Sequence, residues 1–293
     1  MSLERREGGI HDASQQACRP FHEKLTGVMN AASTMYRGLG AESETYTPIS
    51  IIEGKQYIMT TSTSATALIT GASRGLGLAL ARQLAQEGWN LIIDARGAEA
   101  LEAARTELAA HTRVLAIAGD VTDPAHRQAL AEAVRNLGGL DALINSASML
   151  GPSPQPYLVE YPLDVLERVY RTNVIAPLAL IQSLQHQLKD GACVINITSD
   201  AGVEAYEGWG GYGSSKAALE QLSHILAAEK PSWRVYWVDP GDMRTQMHQE
   251  AFPGEDISDR PLPEVSVPGL IALITGELPS GRYAARAVSG QVK

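Results

Sequence analysis

From residue 65 onward, short apolar runs alternate with amphipathic stretches. Runs of strand length occur at ATALIT (65–70), NLIID (90–94), RVLAIAG (113–119), DALINS (141–146), ACVINIT (192–198), RVYWVD (234–239) and GRYAARAV (281–288). Between them, LGLALARQLAQEG places apolar residues at three- and four-residue spacings and stops at Gly88, which predicts a helix. GAEALEAARTELAA, PAHRQALAEAVRNLG and the long PLDVLERVYRTNVIAPLALIQSLQHQL (162–188) have the same period. Strands apolar on both faces, alternating with helices, predict an α/β fold. It is a doubly wound parallel sheet of about seven strands, in a single domain with helices on both sides.

Residues 1–58 lack this order. They mix polar and apolar positions with no sustained period, apart from one candidate short helix, LTGVMNAASTMYRGLG (25–40). Met59 stands one strand ahead of the regular region, where a natural N-terminus would be. We therefore expect a loosely ordered extension over 1–58, such as an upstream translation artefact would leave, and a domain over 59–293. The charged N-terminus has no apolar core of a secretion signal.

Composition narrows the function classes. In 293 residues the net charge is −9, with no Lys/Arg block, so we expect no nucleic-acid partner. Cys18 and Cys193 are far apart in the chain. This fits a reducing cytoplasm better than a disulfide scaffold or a zinc knuckle. Cys193, inside ACVINI, reads as a buried strand residue. The seven histidines form no H-E-x-x-H and no close pair, so no catalytic metal is expected. No apolar run approaches the length that spans a bilayer, so no membrane association is expected.

Two chemistries compete for GASRGLG (71–77). The letters match G-x-S-x-G, the elbow that presents a hydrolase's nucleophilic serine, here Ser73. They also follow a strand and open a helix, as a phosphate-cradling turn does. An elbow normally follows several strands, whereas this stretch follows the first, which favours the nucleotide reading. A second constellation lies in YGSSK. Tyr212 and Lys216 are four apart, on one helix face. A free phenol with a pKa of about 10 is a poor acid or base at neutral pH, and a nearby ammonium lowers it.

Taken together, these motifs resemble the short-chain dehydrogenase/reductase family over about residues 62–290. Thr70 to Gly77 fit that family's T-G-x-x-x-G-x-G. Ser199 precedes Tyr212 by 13 residues, the family interval. Asn173 stands in TNVIAPLAL, and DPGDMRT fits P-G-x-x-x-T. LINSAS occupies the N-N-A-G position but departs from it. Asn145 and Ala147 match, while Ser146 and Ser148 replace asparagine and glycine; Ser148 is expected to crowd the loop beside the nicotinamide ribose.

The resemblance implies a Rossmann-type fold and hydride transfer between a nicotinamide cofactor and a small carbonyl or alcohol. It implies Tyr212 as general acid/base and Ser199 as a hydrogen-bond partner of the substrate oxygen. Lys216 would lower the tyrosine pKa and hold the ribose, and Asn173 would support a water leading protons to Lys216. Gly71, Ser73, Arg74, Gly75, Leu76, Gly77, Asp120, Val121, Asn145 and Ala147 would seat the cofactor, as would Pro240, Gly241, Met243 and Thr245. At the end of the second strand, the family's NAD-type acid position falls on Ala95 and an NADP-type arginine position on Arg96. With Arg74 this favours NADP(H), NAD(H) remaining the other option. Asp94 is expected to hold an arginine or a turn.

The substrate pocket should draw on Met149, Leu150, Tyr206, Trp209 and the loop-like segment 246–263. The family implies a homodimer or homotetramer. The competing function is a catalytically idle NADP(H)-binding sensor or interaction module, for which the altered NSAS turn and the N-terminal extension argue and against which the complete set of Asn173, Ser199, Tyr212 and Lys216 argues. Limited proteolysis tests the domain boundary: the resistant core should begin near Met59, and a core beginning well before residue 50 would contradict it.

Overall fold

The computed structural model describes residues 49–52, 55–58 and 64–288. The chain divides between Thr61 and Ser62 into two units. In the first, β1 (Ile49–Ile52) and β2 (Lys55–Ile58) pair antiparallel, Ile49 opposite Ile58. The sequence pattern did not anticipate this hairpin. The candidate helix at 25–40 and Cys18 lie outside the described residues.

The second unit alternates strands and helices as the periodicity predicts. It runs β3 (Thr66–Ile69), α1 (Gly75–Gln86), β4 (Asn90–Ala95), α2 (Ala98–Leu108), β5 (Val114–Ala118), α3 (Pro124–Asn136) and β6 (Leu140–Asn145). Then come α4 (Leu163–Tyr170), α5 (Ala176–Leu184), β7 (Leu188–Ile197), α6 (Gly210–Glu229) and β8 (Arg234–Asp239). Last are α7 (Gln246–Ala251), α8 (Val267–Thr275), β9 (Gly281–Ala284) and α9 (Ala285–Val288). The seven strands β3 to β9 form one parallel sheet in the order β5-β4-β3-β6-β7-β8-β9.

Alternate strand residues feed two cores. Ile69, Leu91, Ile93, Ile144, Cys193 and Ile195 face α1, α2 and α8. Their neighbours Leu68, Ile92, Leu143 and Val194 face α3 and α5. Both faces are thus apolar because both are covered. Cys193 is fully buried, as its strand context predicts, and burial pushes its thiol up to about 12.

Three elements differ from the sequence pattern. The long helix over 162–188 is interrupted by a π turn at Arg171–Ile175, between α4 and α5. Pro177 has no N–H to offer the carbonyl four residues back, that of Asn173, so the regular ladder cannot pass this point. The final strand stops at Ala284, opposite Asp239, where β8 itself ends. With no partner beyond, the chain turns into α9 and buries Ala285 and Val288. Segment 246–263, expected to be loop, contains the short helix α7.

Where β3 and β6 lie side by side, their chains leave for opposite faces, and a crevice opens at the carboxyl ends of the strands. Asp94, near the end of β4, is buried beneath it. Its carboxylate accepts the Gly71 N–H at 3.1 Å and meets His126 Nε2 of α3 at 2.6 Å. Asp94 therefore holds a turn, as expected, with a histidine rather than an arginine beside it. His126→Ala leaves a buried carboxylate without its main partner and should cost about 3 kcal/mol. Urea unfolding measures it; a loss under about 1 kcal/mol would show that the pair is not a structural anchor.

Candidate active site

The glycine turn lies at the crevice between β3 and α1. Gly71 and Gly75 take left-handed conformations, φ 68° and 58°. A side chain on Gly77 would meet the Gly71 carbonyl oxygen at 2.5 Å, so only glycine lets the first turn of α1 close on the loop. Leu76 is buried in the core. Arg74, at the N-cap of α1, contributes no side-chain cap, and the first turn of that helix has no acid. Its backbone N–H groups and positive dipole end therefore face outward without a protein anion, which suits a phosphate. Among the described residues Ser73 makes no hydrogen bond to a histidine, and nothing there resembles an activated nucleophile. Arg74 Nη1 donates to Gln246 Oε1 of α7, which ties the turn to the segment above it.

Arg96 is exposed just past β4, and Asp120 and Val121 follow β5. Burial opposes ionisation of Asp120, but the Thr122 N–H and the Arg96 charge hold its carboxyl below the usual range. The loop after β6 is held by Thr70, whose Oγ1 accepts the N–H groups of Ser146 and Ala147 at 3.0 and 3.1 Å. In the sequence Thr70 stands out only as a letter of the glycine-turn motif. Asn145 points inward: its amide donates to Asn196 Oδ1 at 2.8 Å and is buried under the crevice.

Asn173 lies on the π turn and is buried with all four hydrogen-bond positions filled. Oδ1 accepts from Met149 N at 2.8 Å and Ser148 Oγ at 3.2 Å, while Nδ2 donates to Met149 O and Ser215 Oγ, both at 2.9 Å. Its side chain thus fastens the loop after β6 to α6.

Ser199 caps the short turn after β7. Its hydroxyl donates to Asp200 Oδ1 at 2.8 Å and accepts from Ala201 N at 3.2 Å. A side chain on Gly213 would meet the Ala201 carbonyl at 2.5 Å. Glycine there lets α6 press against this turn and brings Tyr212 to Ser199. Burial drives the Tyr212 phenol well above its usual value. The Ser148 and Ser199 hydroxyls pull it down, Asp239 and Asp200 push it further up. Lys216 is also buried, 5.3 Å from the Tyr212 ring centroid, and donates to the Ile197 carbonyl at 2.8 Å. Desolvation lowers its pKa to about 7. Burial is the largest influence on both groups in this geometry, raising the phenol and lowering the amine.

Beyond β8, Gly241 donates its N–H to Asp239, Met243 packs on the core, and the Pro240 carbonyl accepts from Ser266. Thr245 caps α7 through the His248 N–H at 3.2 Å. Met247 and Ala251 of α7 pack on Leu150, Ala201 and Tyr212. Trp209 meets Tyr212 edge-on at 5.8 Å and Phe252 at the same distance. Of the pocket residues expected from sequence, Leu150 and Trp209 gather here with α7, Met149 bonds Asn173 through its main chain, and Tyr206 stands apart. That residue is largely exposed and its hydroxyl goes to Asp200 and Glu204. Among the described residues no cluster of metal-ligating side chains forms, and no helix is long and apolar enough to cross a membrane.

A seven-stranded parallel sheet with a glycine turn at its crevice, and a tyrosine, lysine and serine converging beside it, defines a nucleotide-dependent oxidoreductase. The chain belongs to the short chain dehydrogenase family, whose profile matches residues 65–256. It is 35% identical over 202 residues to sepiapterin reductase of Mus musculus, covering 64% of this chain and 77% of that one. It is 40% identical over 171 residues to a rhamnolipids-biosynthesis 3-oxoacyl-acyl-carrier-protein reductase of Pseudomonas aeruginosa, covering 56% and 66%. The structure of a short chain dehydrogenase from Shigella flexneri complexed with NADP superposes with a TM-score of 0.71 at 29% identity, covering 76% of this chain and 97% of that one.

Lys216 gives a pH test. Its pKa falls from 10.5 to about 7 in the fold. Between those values the unfolded chain binds the extra proton, so raising the pH favours the fold. The unfolding free energy of the native chain relative to Lys216→Met should rise from about pH 7 to about 9.5. A flat or falling difference would show that Lys216 is not desolvated.

Proposed function

We propose that this oxidoreductase interconverts a small carbonyl compound and its alcohol with NADP(H), using Tyr212 as the general acid/base. The observation that carries this reading is the Tyr212 phenol itself. It is buried at the crevice beside the glycine turn, between the hydroxyls of Ser148 and Ser199 and next to Lys216.

The cofactor, when bound, supplies or accepts the hydride. In reduction, the Tyr212 Oη–H delivers a proton to the substrate oxygen. Ser199 turns its hydroxyl from Asp200 to the same oxygen and stabilises the charge that develops there. Lys216, with a pKa near neutrality, can carry the proton that favours the phenolate and can donate to a ribose hydroxyl. Asn173 keeps the loop after β6 in register with α6.

The turn Gly71–Gly77 and the open end of α1 would hold the pyrophosphate. The loop residues Asp120, Val121, Asn145 and Ala147 would border the adenosine and nicotinamide ribose, and Pro240, Gly241, Met243 and Thr245 the nicotinamide. Preference for NADP(H) rests on three features. Arg96 and Arg74 offer cations, and Asp94 is turned inward on Gly71 and His126, so it presents no carboxylate to a ribose 2′-hydroxyl. The NADP complex of the Shigella relative agrees with this.

We further infer a cytoplasmic homodimer or homotetramer built on the helices that carry Asn173 and Tyr212. On them Leu163, Ile175 and Ile225 are 74%, 55% and 44% exposed, an apolar surface suited to a second copy. Residues 1–58 would be an extension ahead of the domain over 59–293. The idle nucleotide-binding module gains no support beyond the altered NSAS turn.

A panel of aldehydes and ketones tests the function. NADPH should support reduction better than NADH, and Tyr212→Phe should lower kcat/KM by about a thousandfold. Activity that survives loss of the phenol, or a preference for NADH, would refute the corresponding assignment.

A further inference from the structure

Ser199 and Asp200 adjoin at the end of β7, both half-buried, with their side chains in contact. Ser199 Oγ lies 2.8 Å from Asp200 Oδ1. A carboxylate oxygen can only accept, so the hydroxyl hydrogen must point to Asp200. The Ala201 N–H reaches both groups, Ser199 Oγ at 3.2 Å and Asp200 Oδ1 at 2.8 Å. Ser199 therefore commits its hydrogen to a carboxylate and one lone pair to Ala201. What it has left to offer a reactant is a lone pair, an acceptor.

The surroundings let that hydrogen swing without a rearrangement. The Ser199 oxygen stays on the Ala201 N–H whichever way the hydrogen turns. Asp200, if released, keeps the Ala201 N–H on Oδ1 and the Tyr206 hydroxyl on Oδ2 at 3.2 Å, so no polar group is orphaned. The main chain of the turn is held separately. Ser199 O accepts from Gly202 N at 3.0 Å and from Arg282 Nη2 at 3.4 Å, and Asp200 O accepts from Val203 N and Glu204 N at 2.9 and 2.8 Å. Changing the Asp200 side chain thus alters the direction of one hydroxyl and leaves the backbone its own bonds.

We propose that Asp200 is a positioning residue that sets which reactant the resting site receives: by holding the Ser199 hydrogen it favours an alcohol hydroxyl over a carbonyl oxygen. This deepens the function proposed above and rests on Ser199 facing the reacting oxygen. The Tyr212 phenol, which burial keeps protonated, is a donor. One donor and one acceptor match an alcohol, whose oxygen accepts from Tyr212 while its hydrogen goes to Ser199. A carbonyl oxygen has no hydrogen and meets the Ser199 lone pair. To bind it, Ser199 must leave a charged acceptor for a neutral one, the weaker bond. Specificity here is the difference between those two affinities. No proton passes between Ser199 and Asp200; only the hydrogen bond changes partner.

The test uses the two pairings that cannot react, at pH 7. For a carbonyl and its alcohol that the protein interconverts, dissociation constants are measured for the carbonyl on the NADP+ complex and for the alcohol on the NADPH complex. Asp200→Asn keeps the shape and replaces the charged acceptor by a neutral one. It should tighten the carbonyl and weaken the alcohol, each by about three- to tenfold. In a Ser199→Ala background the same change should produce no such opposite shift. A role confined to the turn, or a charge effect on Tyr212, moves both affinities in one direction. Shifts of the same sign, no shift, or an opposite shift that persists without the Ser199 hydroxyl overturn the proposal. Urea unfolding of Ser199→Ala, Asp200→Ala and the double variant reads the bond without any ligand: the double variant should lose less than the sum of the singles, and additive losses overturn the proposal too. If the native protein turns over no carbonyl, the function proposed above falls, and the unfolding cycle still decides whether Asp200 holds the Ser199 hydrogen.

Discussion

Two strands that are neighbours in space, β3 and β6, send their chains to opposite faces of the sheet, and the Thr70 hydroxyl spans the gap they leave. It accepts two N–H groups of the loop after β6 while Thr70 N donates to the Ile144 carbonyl at 3.0 Å. The glycine turn and the loop on its other side thus become one rigid rim. Everything chemical in the molecule is arranged around that rim. The open end of α1 points into it, Asp94 braces it from below through Gly71, and Asn173 fastens its far side to α6. Loss of this fixed spacing would cost alignment rather than contacts, which is the expensive loss for a reaction between two bound partners.

The second constraint is dryness. Tyr212 and Lys216 are both buried, and burial pushes their pKa values apart, the phenol up and the amine down. The polar contacts of two such buried groups carry more weight than they would in water, because no bulk solvent screens or replaces them. The apolar cover of Leu150, Trp209, Met247 and Ala251 that creates the dryness arrives from three separate segments. The tie from Arg74 to Gln246 couples that cover to the glycine turn.

Much of this was legible in the order of residues. Strands apolar on both faces could only belong to a covered parallel sheet, and the alternation of Leu68 and Ile69 between two cores follows from the two-residue strand period. The spacing of Tyr212 and Lys216 placed them on one helix face. Other features left no local signal. The break at the π turn could have been inferred from Pro177, but the strong apolar period on either side masked it. The end of β9 was set by the length of its partner β8, not by its own letters. Tyr206 looked like a pocket residue by position and was drawn outward by two carboxylates.

The sequence by itself determined the sheet, its winding and the family, and singled out the candidate side chains, because these depend on periodicity and on short-range spacing. Only the tertiary structure decided how those side chains are tuned. That Asp94 faces His126 and that Asn173 is saturated by Ser148, Met149 and Ser215 are contacts between residues 24 to 42 positions apart. Burial and hydrogen bonding at such separations come from packing of the whole sheet, and they set the pKa values of the buried groups.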